Sequence, residues 1–241
     1  MANRGTNNNN EINKLDSLVE SIVEFKTLKL TQCFLCGTEL NTSNHSVEHV
    51  FPRWLQERFD LKDQRITLMN GSTIQYMKLT IPCCKKCNND YLSPIEEKVK
   101  IAVLSGYDAT EQLDDLTLFI WLGKIFYGLI CKEYFLPMDR KNKQEGCIAD
   151  ERIMEELRMH HLFLQSVRIN FDFKLFFPAS ILVFPLKCPD NISGQFNFRD
   201  NILGFSISMQ LGDVGIIAAL QDCGTQKDGL SDLLNRFKDI D

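Results

Sequence analysis

Cys33-Phe34-Leu35-Cys36-Gly37, Glu48-His49-Val50-Phe51-Pro52 and Cys84-Lys85-Lys86-Cys87-Asn88-Asn89 are the segments that decide the reading of this chain. Each Cys-x-x-Cys turn aims two thiolates at one point, and two such turns supply the four ligands of a tetrahedral zinc ion. Gly37 permits the tight turn that thiolate geometry requires at the first knuckle. Cys83 adjoins the second knuckle, but only Cys84 has the two-residue spacing to Cys87. The expected ligands are therefore Cys33, Cys36, Cys84 and Cys87. Four thiolates leave zinc no open position, which makes the ion structural rather than catalytic. Cys36 and Cys84 lie 48 positions apart, more than in a small zinc ribbon, and the inserted segment carries Glu48-His49.

With 241 residues, 44% of them hydrophobic, the chain can bury a substantial core, and two domains are expected. The nine cysteines are odd in number, the chain is long for a disulfide scaffold, and no charged-then-apolar leader precedes them. Thiols in a reducing cytoplasm fit that pattern better than disulfides. Residues 1–10 are polar and Asn-rich, the composition of a disordered tail. The longest apolar stretch, Leu116 to Ile130, is shorter than the roughly 20 residues of a membrane span. It also contains Lys124, so it reads as a buried helix and no membrane partner is expected. The net charge of −5 disfavours phosphate binding by the molecule as a whole. Its distribution matters more: residues 31–100 hold nine Lys/Arg against eight Asp/Glu, and residues 101–241 hold fourteen against twenty. The acidity thus belongs to the C-terminal half.

Ile12, Leu15, Leu18, Val19, Ile22, Val23 and Phe25 recur at helical spacing, predicting an amphipathic helix over 11–28. Ser46 to Val50 reads as a short strand, followed by a helical turn at Trp54-Leu55. Asn70-Gly71 signals a hairpin between Ile66–Leu68 and Thr73–Tyr76. A helix is expected after the second knuckle. Ser93-Pro94-Ile95-Glu96 has the form of a capping box with Pro at the first helical position, which predicts a new helix running to about Leu104. Leu113 to Phe135 is apolar on nearly every side, as in a helix at the centre of a domain. A charged loop at Asp139–Glu145 and an amphipathic helix at Asp150–Gln165 follow. Ile169 to Leu175 alternates like a strand with one wet face. Further strands are predicted at Ile181–Leu186, Gln195–Arg199, Leu203–Leu211 and Val214–Leu220, with a turn at Gly212-Asp213 and a last helix at Leu230–Phe237.

A lone histidine is ordinarily a structural residue, but the setting of His49 argues otherwise. Cys-x-x-Cys, then Glu-His-Val-x-Pro, then Cys-x-x-Cys-Asn resembles the zinc-containing HNH endonucleases of the ββα-metal, or His-Me finger, fold. The resemblance covers about residues 33–96. It implies that His49 acts as general base on an attacking water, and that Glu48 and Asn88 hold a catalytic divalent ion, Mg²⁺ or Mn²⁺. It also implies a nucleic-acid substrate, most readily DNA, and a setting in bacterial defence or a mobile element. An imidazole near its ordinary pKa can take a proton at neutral pH, and a hard cation on oxygen ligands stabilises the charge of phosphodiester cleavage. The chain departs from the family pattern in three places. Lys78 to Pro82 offers no middle Asn, and Asn70, the nearest upstream candidate, also suits its own turn. Asn88 stands where His is commoner, and Glu48 where Asp is commoner.

The expected fold class is α+β: a zinc-stabilised ββα-metal (HNH) nuclease domain over 29–106, then an α+β domain over 107–241. The second domain would hold two main helices and an antiparallel sheet, and would position the target or restrain the nuclease, through a regulatory partner or a homo-oligomer. A different class of function is a non-catalytic zinc module that binds nucleic acid or protein, which the absent middle Asn and the negative charge favour. Asn89 reads equally as a further metal ligand or as a helix-entry residue. Arg53, Lys85 and Lys86 flank the motif as candidate phosphate contacts. Glu96 is assigned to the capping box, Glu97 to a solvated face, and the pair His160-His161 to structure.

Overall fold

A computed structural model describes residues 28–168, 177–187 and 195–238. The tail at 1–10, the helix expected over 11–28 up to its last residue, and the strand at Ile169–Leu175 lie outside the described residues. The protein is α+β with antiparallel sheets throughout.

Strand β1 (His45–His49) is followed by helix α1 (Arg53–Arg58), strands β2 (Arg65–Thr67) and β3 (Thr73–Gln75), and strand β4 (Thr80–Cys84). β1 pairs with β4, His45 opposite Cys84 and His49 opposite Thr80, so the second cysteine pair sits at one end of the ladder and the histidine at the other. β2 and β3 form the hairpin expected around Asn70-Gly71. Gly71 has φ +77°, a left-handed conformation that glycine adopts without strain. Asn70 is committed to the turn: Oδ1 accepts from Ser72 N at 3.0 Å, and Nδ2 donates to Met138 O at 2.8 Å.

Beyond β4 the chain is helical without interruption. A wide π turn at Cys87–Leu92 runs into helix α2 (Ser93–Ser105). The capping box therefore does not form. Leu92 and Ser93 are both right-handed helical, no side chain caps this point, and Ser93 N donates to Asn88 O five residues back. The wide turn accommodates Pro94, which cannot donate to the ladder.

Helix α3 (Tyr107–Glu111) leads to helix α4 (Asp115–Tyr134). Asp114 caps α4 by accepting from Thr117 N at 2.8 Å. From Thr117 to Cys131 every residue of α4 is buried, as its uniform apolarity predicts. The single helix expected at Asp150–Gln165 is instead two, α5 (Glu151–Glu156) and α6 (Arg158–Gln165). They join at buried Leu157, whose ψ of 0° bends the axis. The bend turns His160 and His161 inward: His160 Nε2 lies 3.1 Å from Gly123 O and His161 Nε2 2.7 Å from Phe34 O. Both histidines are structural, as their sequence setting suggests.

The four-stranded sheet has the order β5 (Ser180–Pro185), β8 (Val214–Ala219), β7 (Ser206–Leu211), β6 (Phe196–Asn201). β7 starts three residues later than its apolar pattern predicts. Ile202 to Phe205 form the β6–β7 turn, in which Gly204 N donates to Asn201 Oδ1 and Phe205 takes φ +43°. Helix α7 (Lys227–Lys238) closes the described chain.

The stretches 29–106 and 107–238 share one hydrophobic core. Phe51, just after β1, meets Tyr76 and Phe198 edge-on with centroids 4.9 Å away in each case, and Phe196 at 6.2 Å. α4 passes so close to the β1–β4 ladder that a Cβ on Gly128 would lie 3.2 Å from Ile81 and 3.3 Å from Val50. Glu133 of α4 accepts from Met69 N at 2.8 Å and so ties the inserted hairpin to the central helix. Burial pushes the Glu133 carboxyl up to about 7. A raised folded-state value favours the neutral acid on folding. Its contribution is complete below the ordinary value of 4.5 and is lost as pH rises through about 7. Glu133→Gln keeps an acceptor for Met69 and removes the ionisation. It is expected to match the parent near about pH 4 and to exceed its stability near about pH 8 by on the order of 2 kcal/mol. Urea midpoints at the two pH values measure this, and a variant no more stable at the higher pH would contradict it.

Candidate functional site

The first cysteine turn is a tight hairpin, with Gly37 N donating to Cys33 O and Cys33 N to Thr38 O, each at 2.9 Å. Gly37 takes φ +70°, the conformation that the sequence assigns to it. The second turn sits where β4 becomes helix, and Cys87 N donates to Cys84 Sγ at 3.4 Å. Phe34 N donates to Pro82 O at 2.9 Å, which brings the two turns together.

The Sγ atoms of Cys33, Cys36, Cys84 and Cys87 all lie within 4.8 Å of one another. Those of Cys36 and Cys84 are 3.8 Å apart. A zinc–sulfur bond of about 2.3 Å places tetrahedral sulfurs about 3.8 Å apart, so the four cysteines can hold a metal ion such as zinc. Cys83 packs against Cys33 at 3.9 Å but is not in the cluster, nor are Cys131, Cys147 and Cys223.

Along β1, between the cysteine end of the ladder and the turn after His49, a cavity of about 310 Å³ is lined by Ser46, Val47, Glu48, His49, Arg53, Trp54, Asn88 and Glu96, among others. Three of these, Glu48, His49 and Asn88, are the residues that the sequence singles out. His49 is half-buried, and its pKa is lowered, first by burial and then by Arg53 and Lys124. The imidazole is therefore neutral at physiological pH, as a proton acceptor must be. Asn88 Nδ2 donates to Ser46 Oγ at 2.9 Å and to Val47 O at 3.4 Å. That geometry fixes the side chain against β1, and among the described residues no donor is assigned to its Oδ1.

Glu48 is 3% exposed, and its Oε1 accepts from Lys124 Nζ at 2.8 Å. The same ammonium donates to Glu96 Oε1 at 2.7 Å, His49 O at 3.0 Å and Val50 O at 3.1 Å. Burial opposes the charge on both Glu48 and Lys124, and it pushes the Glu48 carboxyl up to about 7 against the pull of the ammonium, with Glu96 adding to the rise. The two carboxylates nevertheless hold Lys124 charged, and its pKa is raised. Sequence reasoning missed this cluster. Glu96 fits a local capping pattern, and Lys124 is 76 positions from Glu48. The one available signal was a lysine inside an otherwise apolar helix, which demands a buried counter-charge.

Of the remaining candidates, Arg53 reaches the cavity and the others do not. Asn89 is exposed and does not line the cavity. Lys85 donates to Ser43 O at 2.8 Å, Lys86 lies over the Tyr91 ring, and Glu97 pairs with Lys100. Asn70, held in its hairpin, is also absent from the cavity wall. Arg53 lines it and forms no ion pair among the described residues.

No family model, curated protein or solved structure matches the chain. No helix among the described residues is long and apolar enough to cross a membrane.

The cysteine cluster makes a selective prediction. Protein purified without chelator is expected to contain one zinc per chain by elemental analysis. Cys36→Ser and Cys87→Ser should each lose it together with most of their folding stability, because structural zinc supplies folding energy. Cys83→Ala should retain it. Zinc lost from Cys83→Ala and kept in Cys36→Ser would contradict the assignment.

Proposed function

We propose that the chain is a metal-dependent HNH endonuclease that hydrolyses phosphodiester bonds in DNA. The observation that carries the proposal is the convergence of Glu48, His49 and Asn88 on one cavity, at the junction of an antiparallel strand pair and the helix that follows the second cysteine turn. That order of elements supports the ββα-metal reading, with the cysteine cluster clamping the strands to the helix.

The donor set suits a hard cation. A carboxylate and an amide oxygen are the ligand types that Mg²⁺ and Mn²⁺ take alongside retained waters. Glu48 and Asn88 would hold the ion, which would supply Lewis-acid stabilisation of the charge that develops on the phosphate and the leaving oxygen. His49 accepts the proton of the attacking water at its unprotonated ring nitrogen. Arg53, on the same wall and free of ion pairs among the described residues, faces the phosphate. Trp54 packs on Trp121 of α4 with rings 6.3 Å apart and so backs the site from the core. α4 also supplies Lys124, so the C-terminal half contributes the ammonium that holds Glu48 and Glu96.

One observation favours the other class. The Glu48 carboxylate already faces an ammonium, as it would in a non-catalytic zinc module that binds nucleic acid or protein. The two readings part on cleavage. With Mg²⁺ or Mn²⁺ present, the full chain is expected to nick plasmid DNA, and His49→Ala to slow this by roughly 100-fold or more at unchanged zinc content. Equal rates would remove His49 from the chemistry, and a parent chain that cleaves neither DNA nor RNA would favour the binding module.

A further inference from the structure

Lys124 changes the charge at the site in a way that the sequence motif alone does not show. Glu48 is the acid expected to hold a cation, yet its Oε1 is committed to an ammonium at 2.8 Å. Glu48 and Lys124 together are neutral, and a neutral pair is a poor seat for a divalent ion. The same ammonium contacts a second carboxylate, Glu96, on α2. With Glu96 included, two carboxyl groups face one ammonium, so the acids outnumber the cation between them. Both acids spend Oε1 on Lys124, and no donor is assigned to either Oε2 among the described residues. The Glu96 side chain is 22% exposed where that of Glu48 is 5% exposed, so Glu96 is the more open of the two. Both line the cavity that also holds His49 and Asn88.

We infer that Glu96 is a ligand of the divalent cation, completing with Glu48 and Asn88 a set of three protein oxygens, and that Lys124 is the positioning residue that holds the two carboxylates side by side. The inference deepens the nuclease reading and rests on it for the cation's purpose, but not for its binding. Lys124 does not touch the ion. It binds the Glu48 and Glu96 side chains and the carbonyls of His49 and Val50, and so fixes the end of β1 against α2 and α4. Three protein oxygens with the rest of the shell left to water is the arrangement that Mg²⁺ and Mn²⁺ accept.

Calorimetric titration of the zinc-loaded full chain with Mn²⁺ tests this. Glu96→Gln keeps an acceptor for Lys124 and removes the charge. It is expected to weaken Mn²⁺ binding by roughly 10-fold or more, with thermal midpoint and zinc content held. Glu96→Asp keeps the charge and withdraws the oxygen by one methylene, and it too should bind more weakly. Glu97→Gln, one residue on and paired with Lys100, should bind as the parent does. Parent-like Mn²⁺ affinity in Glu96→Gln, an equal loss in Glu97→Gln, or no Mn²⁺ binding by the parent would overturn the assignment. The nuclease reading has its own readout. Cleavage that depends on His49 while Glu96→Gln binds Mn²⁺ normally would sink the ligand and leave the nuclease. Mn²⁺ binding that depends on Glu96 in a chain that cleaves no nucleic acid would do the reverse.

Discussion

The Lys124 ammonium is the contact on which the arrangement of this protein depends. It is fully buried in the middle of α4 and meets four oxygens, two from carboxylates and two from successive carbonyls. An ammonium taken out of water is stable only if its protons are satisfied and its charge is countered, and removing one partner of such a pair costs roughly 3 to 5 kcal/mol. β1, α2 and α4 are therefore obliged to meet at this point. The stretch containing the cysteine turns and the C-terminal stretch are joined by more than apolar packing. Apolar packing joins them as well, since Phe51 inserts among Tyr76, Phe196 and Phe198 directly after the residues that Lys124 holds.

The cysteine cluster and the ammonium fix opposite ends of the same strand pair. Cys84 ends β4 opposite His45, and His49 ends β1 opposite Thr80. Four thiolates that can hold zinc set the angle at which the chain enters its helix, and that angle sets where Asn88 stands relative to β1. Lys124 sets the other end. The cavity lies between two fixed points, which suits the proposed site, whose side chains would have to keep their places as a substrate enters.

Much of this was legible in the sequence, for local reasons. Two Cys-x-x-Cys pairs state their own geometry, and the structure brings all four sulfurs within 4.8 Å. Asn70-Gly71 announces its hairpin, and the apolar run through α4 announces burial. The misreadings share one cause, local patterns overruled by distant contacts. Ser93-Pro94-Ile95-Glu96 has the form of a capping box, but the chain reaches it already helical and Glu96 turns to a lysine 28 positions away. Asp150 to Gln165 has one helical period, but Leu157 bends inward to bury both histidines. The apolar start of β7 belongs to a turn because Asn201 and Phe205 close it. No local pattern could pair Lys124 with Glu48 and Glu96; the lysine by itself said only that a counter-charge must exist.

Anomalous diffraction from crystals grown with Mn²⁺ would test the account most directly, with data collected at the zinc and manganese edges. Two separate ions are expected: zinc among Cys33, Cys36, Cys84 and Cys87, and manganese in the cavity beside His49, in contact with Glu48, Glu96 and Asn88. A cavity free of manganese at saturating concentration, with Lys124 still bridging the two carboxylates, would contradict it and leave a zinc scaffold in place of an enzyme.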